Sequence, residues 1–173
     1  GWDPKNDLHV YCDETRPLLQ GARLSAYEMQ AAGIDTYVQC DNMASYTMKS
    51  GKIGIIFVGC DRVAANGDFA NKIIAKHYGV PFYVCAPSST IDMTLESGDE
   101  IHIEQRKGEE VTEMWYEKRM APEGVGVVNP AFDVTDHSLV TGIITEKGIA
   151  YEPFKESFEK MGIKPVEKYV DKK

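Results

Sequence analysis

Four polar groups, each standing directly after an apolar run, are the residues of this chain whose types could do chemistry. They are Asp13-Glu14-Thr15-Arg16 after His9 to Cys12, Asp41-Asn42 after Thr36 to Cys40, Asp61-Arg62 after Ile53 to Gly59, and Pro87-Ser88-Ser89-Thr90 after Pro81 to Ala86. A carboxyl group on such a rim can give or take a proton. Asp61 is the sharpest candidate because it follows the most continuously apolar run, where loss of solvent raises a carboxyl pKa and suits it to proton transfer. The same position also suits a helix N-cap or a buried partner for an arginine, and Asp13, Glu14 and Asp41 fit that capping role even better. Between Ala64 and Lys72 a small-residue loop contains Asn66-Gly67, a pair that favours a turn with positive φ. Such a loop can offer N–H groups to a phosphate, with Lys72 adding charge, or can be an ordinary connection carrying a solvated lysine. Ser88-Ser89-Thr90 can bind phosphate oxygens or make turns and caps.

The elements that must position these groups follow from the spacing. Short apolar runs separated by helix-compatible stretches predict βαβ units, hence an α/β fold with a mostly parallel sheet and helices on both faces. Ligand sites in such sheets lie outside the carboxyl ends of the strands. The run Ile53 to Gly59 is apolar without alternation, which predicts a central strand covered on both faces. Leu18 to Ala32 places Leu18, Ala22, Ser25, Ala26 and Met29 on one helical stripe, with Gly33 as the stop, and Ala70 to Tyr78 reads as a second helix closed by Gly79. Beyond Ile91 the pattern weakens. Ile101-His102-Ile103 is a short strand candidate, Glu109 to Met120 is a charged segment to which no chemistry is assigned, Val125 to Pro130 reads as strand then turn, and Ser138 to Thr145 is the last apolar segment. The expected organisation is a linker or cut end over 1–7, one catalytic domain over 8–160 and a charged tail over 161–173.

Composition narrows the function classes. With 173 residues, 43% hydrophobic and 27% charged, the chain can bury a real core. A formal net charge of -8 opposes electrostatic binding to nucleic acid or to an anionic membrane, so a phosphate would have to be held locally by a few placed groups. Cys12, Cys40, Cys60 and Cys85 form no C-x-x-C pair and read as buried thiols in a reducing compartment, which makes the cytoplasm the expected location. No apolar stretch approaches a membrane span. His9, His77, His102 and His137 lack metal-ligand spacing, and no G-x-G-x-x-G, Walker lysine loop or G-x-S-x-G occurs, so no metal and no cofactor is expected. Trp2 and Trp115 are not interleaved with basic residues, so packing accounts for them better than nucleic-acid stacking.

Longer motifs carry a resemblance. Asp13-Glu14-Thr15-Arg16-Pro17-Leu18-Leu19-Gln20-Gly21-Ala22-Arg23-Leu24 resembles the first signature of the methylthioribose-1-phosphate isomerase family, which is related to regulatory subunits of the translation-initiation exchange factor. Val58 to Asp68, Ala70-Asn71-Lys72-Ile73, Ala86 to Asp92 and Asn129 to Thr135 follow in the family's order, and the match runs from about Val10 to Phe154. The resemblance implies a Rossmann-like carboxyl-terminal half of an isomerase in methionine salvage, which turns a ring-closed aldose 1-phosphate into a ketose phosphate. It implies Asp61 as proton donor to the ring oxygen, and Gln20, Asn71 and Lys72 as substrate-binding residues. It also implies a homodimer, and an amino-terminal half that brings the family's catalytic cysteine and phosphate-binding arginines; none of the four cysteines here sits in that motif. After Ile73 the chain is about seven residues shorter than the family pattern, close to two helical turns. Two other readings stand beside this one. One is a non-catalytic regulatory subunit using the fold as a binding surface. The other is a sister isomerase acting on ribose 1,5-bisphosphate or a 5-deoxypentose 1-phosphate.

Overall fold

The computed structural model describes residues 8–70 and 75–164. Asn71, Lys72, the 1–7 linker and the tail beyond residue 164 lie outside the described residues. The chain divides into two compact units, Gly1–Ser50 with Gln105–Asn129, and Gly51–Glu104 with Pro130–Lys173.

The first unit is built on one βαβ crossover. Strand β1 (His9–Asp13) pairs in parallel with β2 (Asp35–Gln39), from His9 opposite Asp35 to Asp13 opposite Gln39. A parallel pair needs a crossover connection. Here it is a π-helical turn over Gly21–Ser25 that runs into helix α1 (Ala26–Ala31). The expected stripe holds at Ala26, which is buried, and at Leu18, Ala22 and Met29, which are half-buried; Ser25 faces solvent. Gly33 ends the crossover at φ 77°, the left-handed conformation that a helix stop favours. A 3-10 turn over Asp41–Met43 and helix α2 (Ala44–Lys49) follow β2 and bury Thr47 and Met48. The charged segment expected beyond residue 109 supplies one short helix, α3 (Glu109–Thr112), with Thr112 buried.

The second unit contains two four-stranded sheets. In one, β3 (Ile56–Gly59), β6 (Phe82–Cys85) and β9 (Gly142–Thr145) run parallel, and β10 (Gly148–Ala150) closes a hairpin on β9; the order is β10-β9-β6-β3. In the other, the two-residue strands β4 (Val63–Ala64), β5 (Phe69–Ala70), β7 (Ile91–Asp92) and β8 (Val134–Thr135) lie in the order β7-β4-β5-β8. Val63, Phe69, Val84, Ile91 and Ile143 are wholly buried, and helix α4 (Phe154–Lys160) adds Phe154 and Phe158 at i and i+4, on one face. The fold is mixed α/β with mostly parallel strand pairing in its larger sheet, as the spacing predicts.

Several expectations are corrected. The run at 53–59 is a strand only from Ile56, and it is not central within its unit: among the described residues β6 is its one strand neighbour, and Phe57 is 56% exposed. Ala70 ends β5, where it pairs with Val134, and Ala75–Tyr78 is a 3-10 turn before Gly79; the rest of the expected helix, residues 71–74, lies outside the described residues. Ile101-His102-Ile103 and Val125 to Val128 form no strand. Of the four thiols, all free, only Cys12 is buried; Cys60 is half-buried, and Cys40, just after β2, and Cys85, the last residue of β6, are exposed.

Gly67 shows how tightly the loop between β4 and β5 is packed. Its φ is +95°, and a Cβ there would lie 2.4 Å from Cδ2 of the buried Phe154 ring. Gly67→Ala therefore combines a disfavoured backbone with a clash against an immobile ring and should cost about 2 kcal/mol or more in chemical denaturation. An unchanged midpoint would contradict the packing described.

Candidate active site

In the first unit, the loop leaving β1 is fixed from β2. Asp41 accepts the N–H of Thr15 at 2.8 Å on one oxygen and that of Arg16 at 2.7 Å on the other, while the Glu14 N–H donates to the Gln39 carbonyl at 2.8 Å. Contrary to the role its strand-end position suggests, Asp41 caps no helix; its carboxylate holds the loop after β1 instead. Thr15 and Leu19 are held at φ 63° and 59°, a region costly for side-chain-bearing residues unless their surroundings over-determine it. Gly21 lies so close to the Asp13 carbonyl oxygen that a Cβ would stand 1.8 Å from it, leaving room for glycine alone. Gln20 opens the π-helical turn with its side chain exposed, just beyond the carboxyl end of β1. π-Helical turns recur at functional sites because they re-aim side chains without ending a helix.

Asp13 is a strand-end carboxyl whose pKa is raised. Burial is the main cause; the Gln39 amide, donating at 2.7 Å, works against it, and the Asp41 charge adds to it. Cys40 is pushed up chiefly by the charge of Glu14.

In the second unit, Cys60 and Asp61 leave the carboxyl end of β3. Asp61 is exposed, so the burial expected for it is absent. Arg62 pairs with Asp92 at 3.1 Å. Burial raises the Cys60 thiol, which contacts the Thr90 hydroxyl at 3.7 Å. At the carboxyl ends of β6 and β9 lies an open depression of about 610 Å³ lined by Cys85, Pro87, Ser88, Ile144 and Glu146, among others. It does not suit phosphate. Glu146 accepts both the N–H of Ser88, at 2.9 Å, and its hydroxyl, and Thr90 turns its hydroxyl back to the Pro87 carbonyl at 2.8 Å. The turn-making role of Ser88 and Thr90 is the one observed.

Asp68, which sequence reasoning quoted only as part of a motif, anchors the loop that follows Asp61. One oxygen accepts the backbone N–H and ring Nδ1–H of His137, both at 2.8 Å; the other accepts Asn66 Nδ2 at 2.8 Å and the Gly98 N–H at 2.9 Å. Burial alone would raise this carboxyl, but the bonds from Asn66, Gly98 and His137 outweigh it and hold the pKa below the usual range. Asp68, Asp136 and His137 bring possible ligand atoms within 4.8 Å of one another. A carboxylate can only accept, however, so the His137 Nδ1 that faces Asp68 carries a hydrogen rather than a lone pair. Among the described residues, no helix is long and apolar enough to cross a membrane.

The family model described as Initiation factor 2 subunit family matches residues 2–152. The chain belongs to that family. It is 62% identical over 162 residues to the methylthioribose-1-phosphate isomerase of Symbiobacterium thermophilum, a match covering 90% of the chain and 45% of that protein. It is 54% identical over 168 residues to the 5-deoxyribose 1-phosphate isomerase of Petrotoga mobilis, covering 93% and 48%. Among solved structures, the 5-methylthioribose 1-phosphate isomerase of Pyrococcus horikoshii superposes with a TM-score of 0.83 at 48% identity, over 89% of the chain and 45% of that protein. The initiation factor eIF-2B delta subunit of A. fulgidus gives 0.82 at 38% identity, over 88% and 46%. The chain thus spans about half the length of the relatives it matches.

Within this initiation factor 2 subunit family member, the Asp68 anchor makes a pH prediction. Its folded pKa lies below the unfolded value, so the stabilisation is present above about pH 4 and lost as pH falls through the lowered folded value. Asp68→Asn should cost about 1–3 kcal/mol at pH 7 by urea denaturation, with the cost shrinking below about pH 4. An equal cost at pH 3 and pH 7 would contradict the anchor.

Proposed function

We propose that this chain is the carboxyl-terminal half of an aldose–ketose isomerase that converts 5-methylthioribose 1-phosphate to 5-methylthioribulose 1-phosphate in methionine salvage. The observation that carries the reading is the high identity to relatives bearing that name, across nearly the whole chain, with Asp61 at the open carboxyl end of β3.

The chemistry asks for an acid at the ring oxygen. Phosphate on the anomeric oxygen prevents simple opening to an aldehyde, so ring opening needs a proton delivered as the bond breaks. Asp61 is the proton donor in this reading, and Gln20, Asn71 and Lys72 bind the substrate, as the family motif assigns them. The amino-terminal half, which supplies the thiol in this reading, closes the site around that acid. The active form in this reading is a cytoplasmic homodimer.

A second reading, an isomerase acting on 5-deoxyribose 1-phosphate, is favoured by the Petrotoga relative, which matches even more of the chain. The two substrates differ only in the group on C5, so they are separated by assaying both.

With the amino-terminal half supplied, Asp61→Asn should lower kcat by at least about a hundredfold, the usual worth of a general acid, while changing KM little. Full turnover in that variant would overturn Asp61 as the proton donor, whereas no turnover by the unsubstituted protein would overturn the isomerase assignment and favour a binding role like that of the regulatory subunits.

A further inference from the structure

The segment Glu109 to Met120, to which the sequence assigned no chemistry, faces the Gln20 loop within the first unit. Among the described residues, only three non-glycine residues have positive φ: Thr15, Leu19 and Trp115, the last at 72°. All three belong to one set of contacts. The Trp115 indole N–H donates to the Pro17 carbonyl at 2.9 Å, and its ring lies under the Arg23 guanidinium at 4.6 Å from the ring centre. Tyr116 lies under the Arg16 guanidinium at 5.3 Å, and Arg16 Nη2 donates to the Val111 carbonyl at 2.8 Å. Pro17, Arg16 and Arg23 bracket Gln20 on both sides in sequence, so the aromatic pair grips the two ends of the stretch that presents it.

The base of this grip is firm. Arg106 makes a two-pronged bond to Glu110 at 2.8 Å on each oxygen, the Arg106 N–H donates to the Asn129 carbonyl at 2.9 Å, and Asn129 Nδ2 donates to the Lys107 carbonyl at 2.9 Å. The Met120 N–H returns to the Thr112 carbonyl at 2.9 Å, and Arg119 pairs with Glu113 at 2.7 Å. A left-handed tryptophan that is itself 50% exposed is not there to fill a core. Backbone held in such a region persists when several contacts over-determine it, and it concentrates where a loop must be pre-organised. Binding gains when a residue that meets a ligand is ordered beforehand.

We infer that Trp115, seconded by Tyr116, is a positioning residue for Gln20: it braces the loop over 15–23 so that the glutamine is set before substrate arrives. The role for substrate rests on the isomerase reading; the brace itself does not.

The test has two parts. Amide hydrogen exchange on the chain follows Leu19 and Arg23, whose N–H groups bond to the Thr15 and Leu19 carbonyls. Trp115→Ala should speed their exchange by about tenfold or more, and Trp115→Phe, which keeps the ring but loses the bond to Pro17, by less. Unchanged exchange at both amides overturns the brace. With the amino-terminal half supplied, Trp115→Ala should raise KM by about tenfold and leave kcat within about threefold, and combining it with Gln20→Ala should add little to either single change. Additive effects overturn the link to Gln20. If the unsubstituted protein with its amino-terminal half shows no turnover, the isomerase reading fails while the exchange result still decides the brace.

Discussion

The interaction on which both rims of this protein depend is a carboxylate that captures backbone N–H groups. The polar residues lie just beyond the ends of strands, where the ladder no longer satisfies the main chain. Each loop must find acceptors elsewhere or stay in water. Asp41 takes two successive amides of the loop after β1, and Asp68 takes amides from two separate turns together with two side-chain donors. Charged acceptors make the strongest of such bonds, roughly twice as strong as neutral ones. They can therefore hold backbone that would not stay in place unaided, including the left-handed Thr15 and the turn at Gly67.

This separates two jobs that look alike in sequence. An aspartate after a strand can cap or can react, and the residue type does not say which. Asp41 and Asp68 have their oxygens occupied by the fold, whereas Asp61 is exposed beyond β3. The division suits the proposed chemistry, in which the reacting acid must stay open to substrate while its neighbours keep the loops still. Glu146 illustrates the same logic in the opposite sense. It lines the depression at the carboxyl ends of β6 and β9 and consumes the Ser88 donors, so that depression is a poor place for a phosphate.

Much of the fold was legible because the signals were local. The strands at β1, β2 and β6 follow from apolar runs of ordinary strand length, and the stops at Gly33 and Gly79 from the left-handed backbone they adopt, at φ 77° and 65°. The two-residue strands β4, β5, β7 and β8 could not be read, since a period needs more residues than they contain; they exist through pairing at long range. Helix α4 left a fair signal in Phe154 and Phe158, four residues apart, which the charged residues between them obscured. The apolar run at 53–59 misled because continuous hydrophobicity reports a buried strand only when both faces find cover within the same unit, and Phe57 does not. At the site, Gln20 and Asp61 were singled out from motif and strand-end position. Asp68 and Trp115 were not, because their importance lies in partners dozens of residues away, which spacing does not reveal.

The most direct measurement is a backbone amide NMR titration of this chain with 5-methylthioribulose 1-phosphate, the proposed product. The account predicts shifts that saturate and gather at the carboxyl ends of β1 and β3, over the residues around Gln20 and Asp61. Shifts at the opposite strand ends, around His9, Asp35 and Ile56, or none at millimolar ligand, would contradict it.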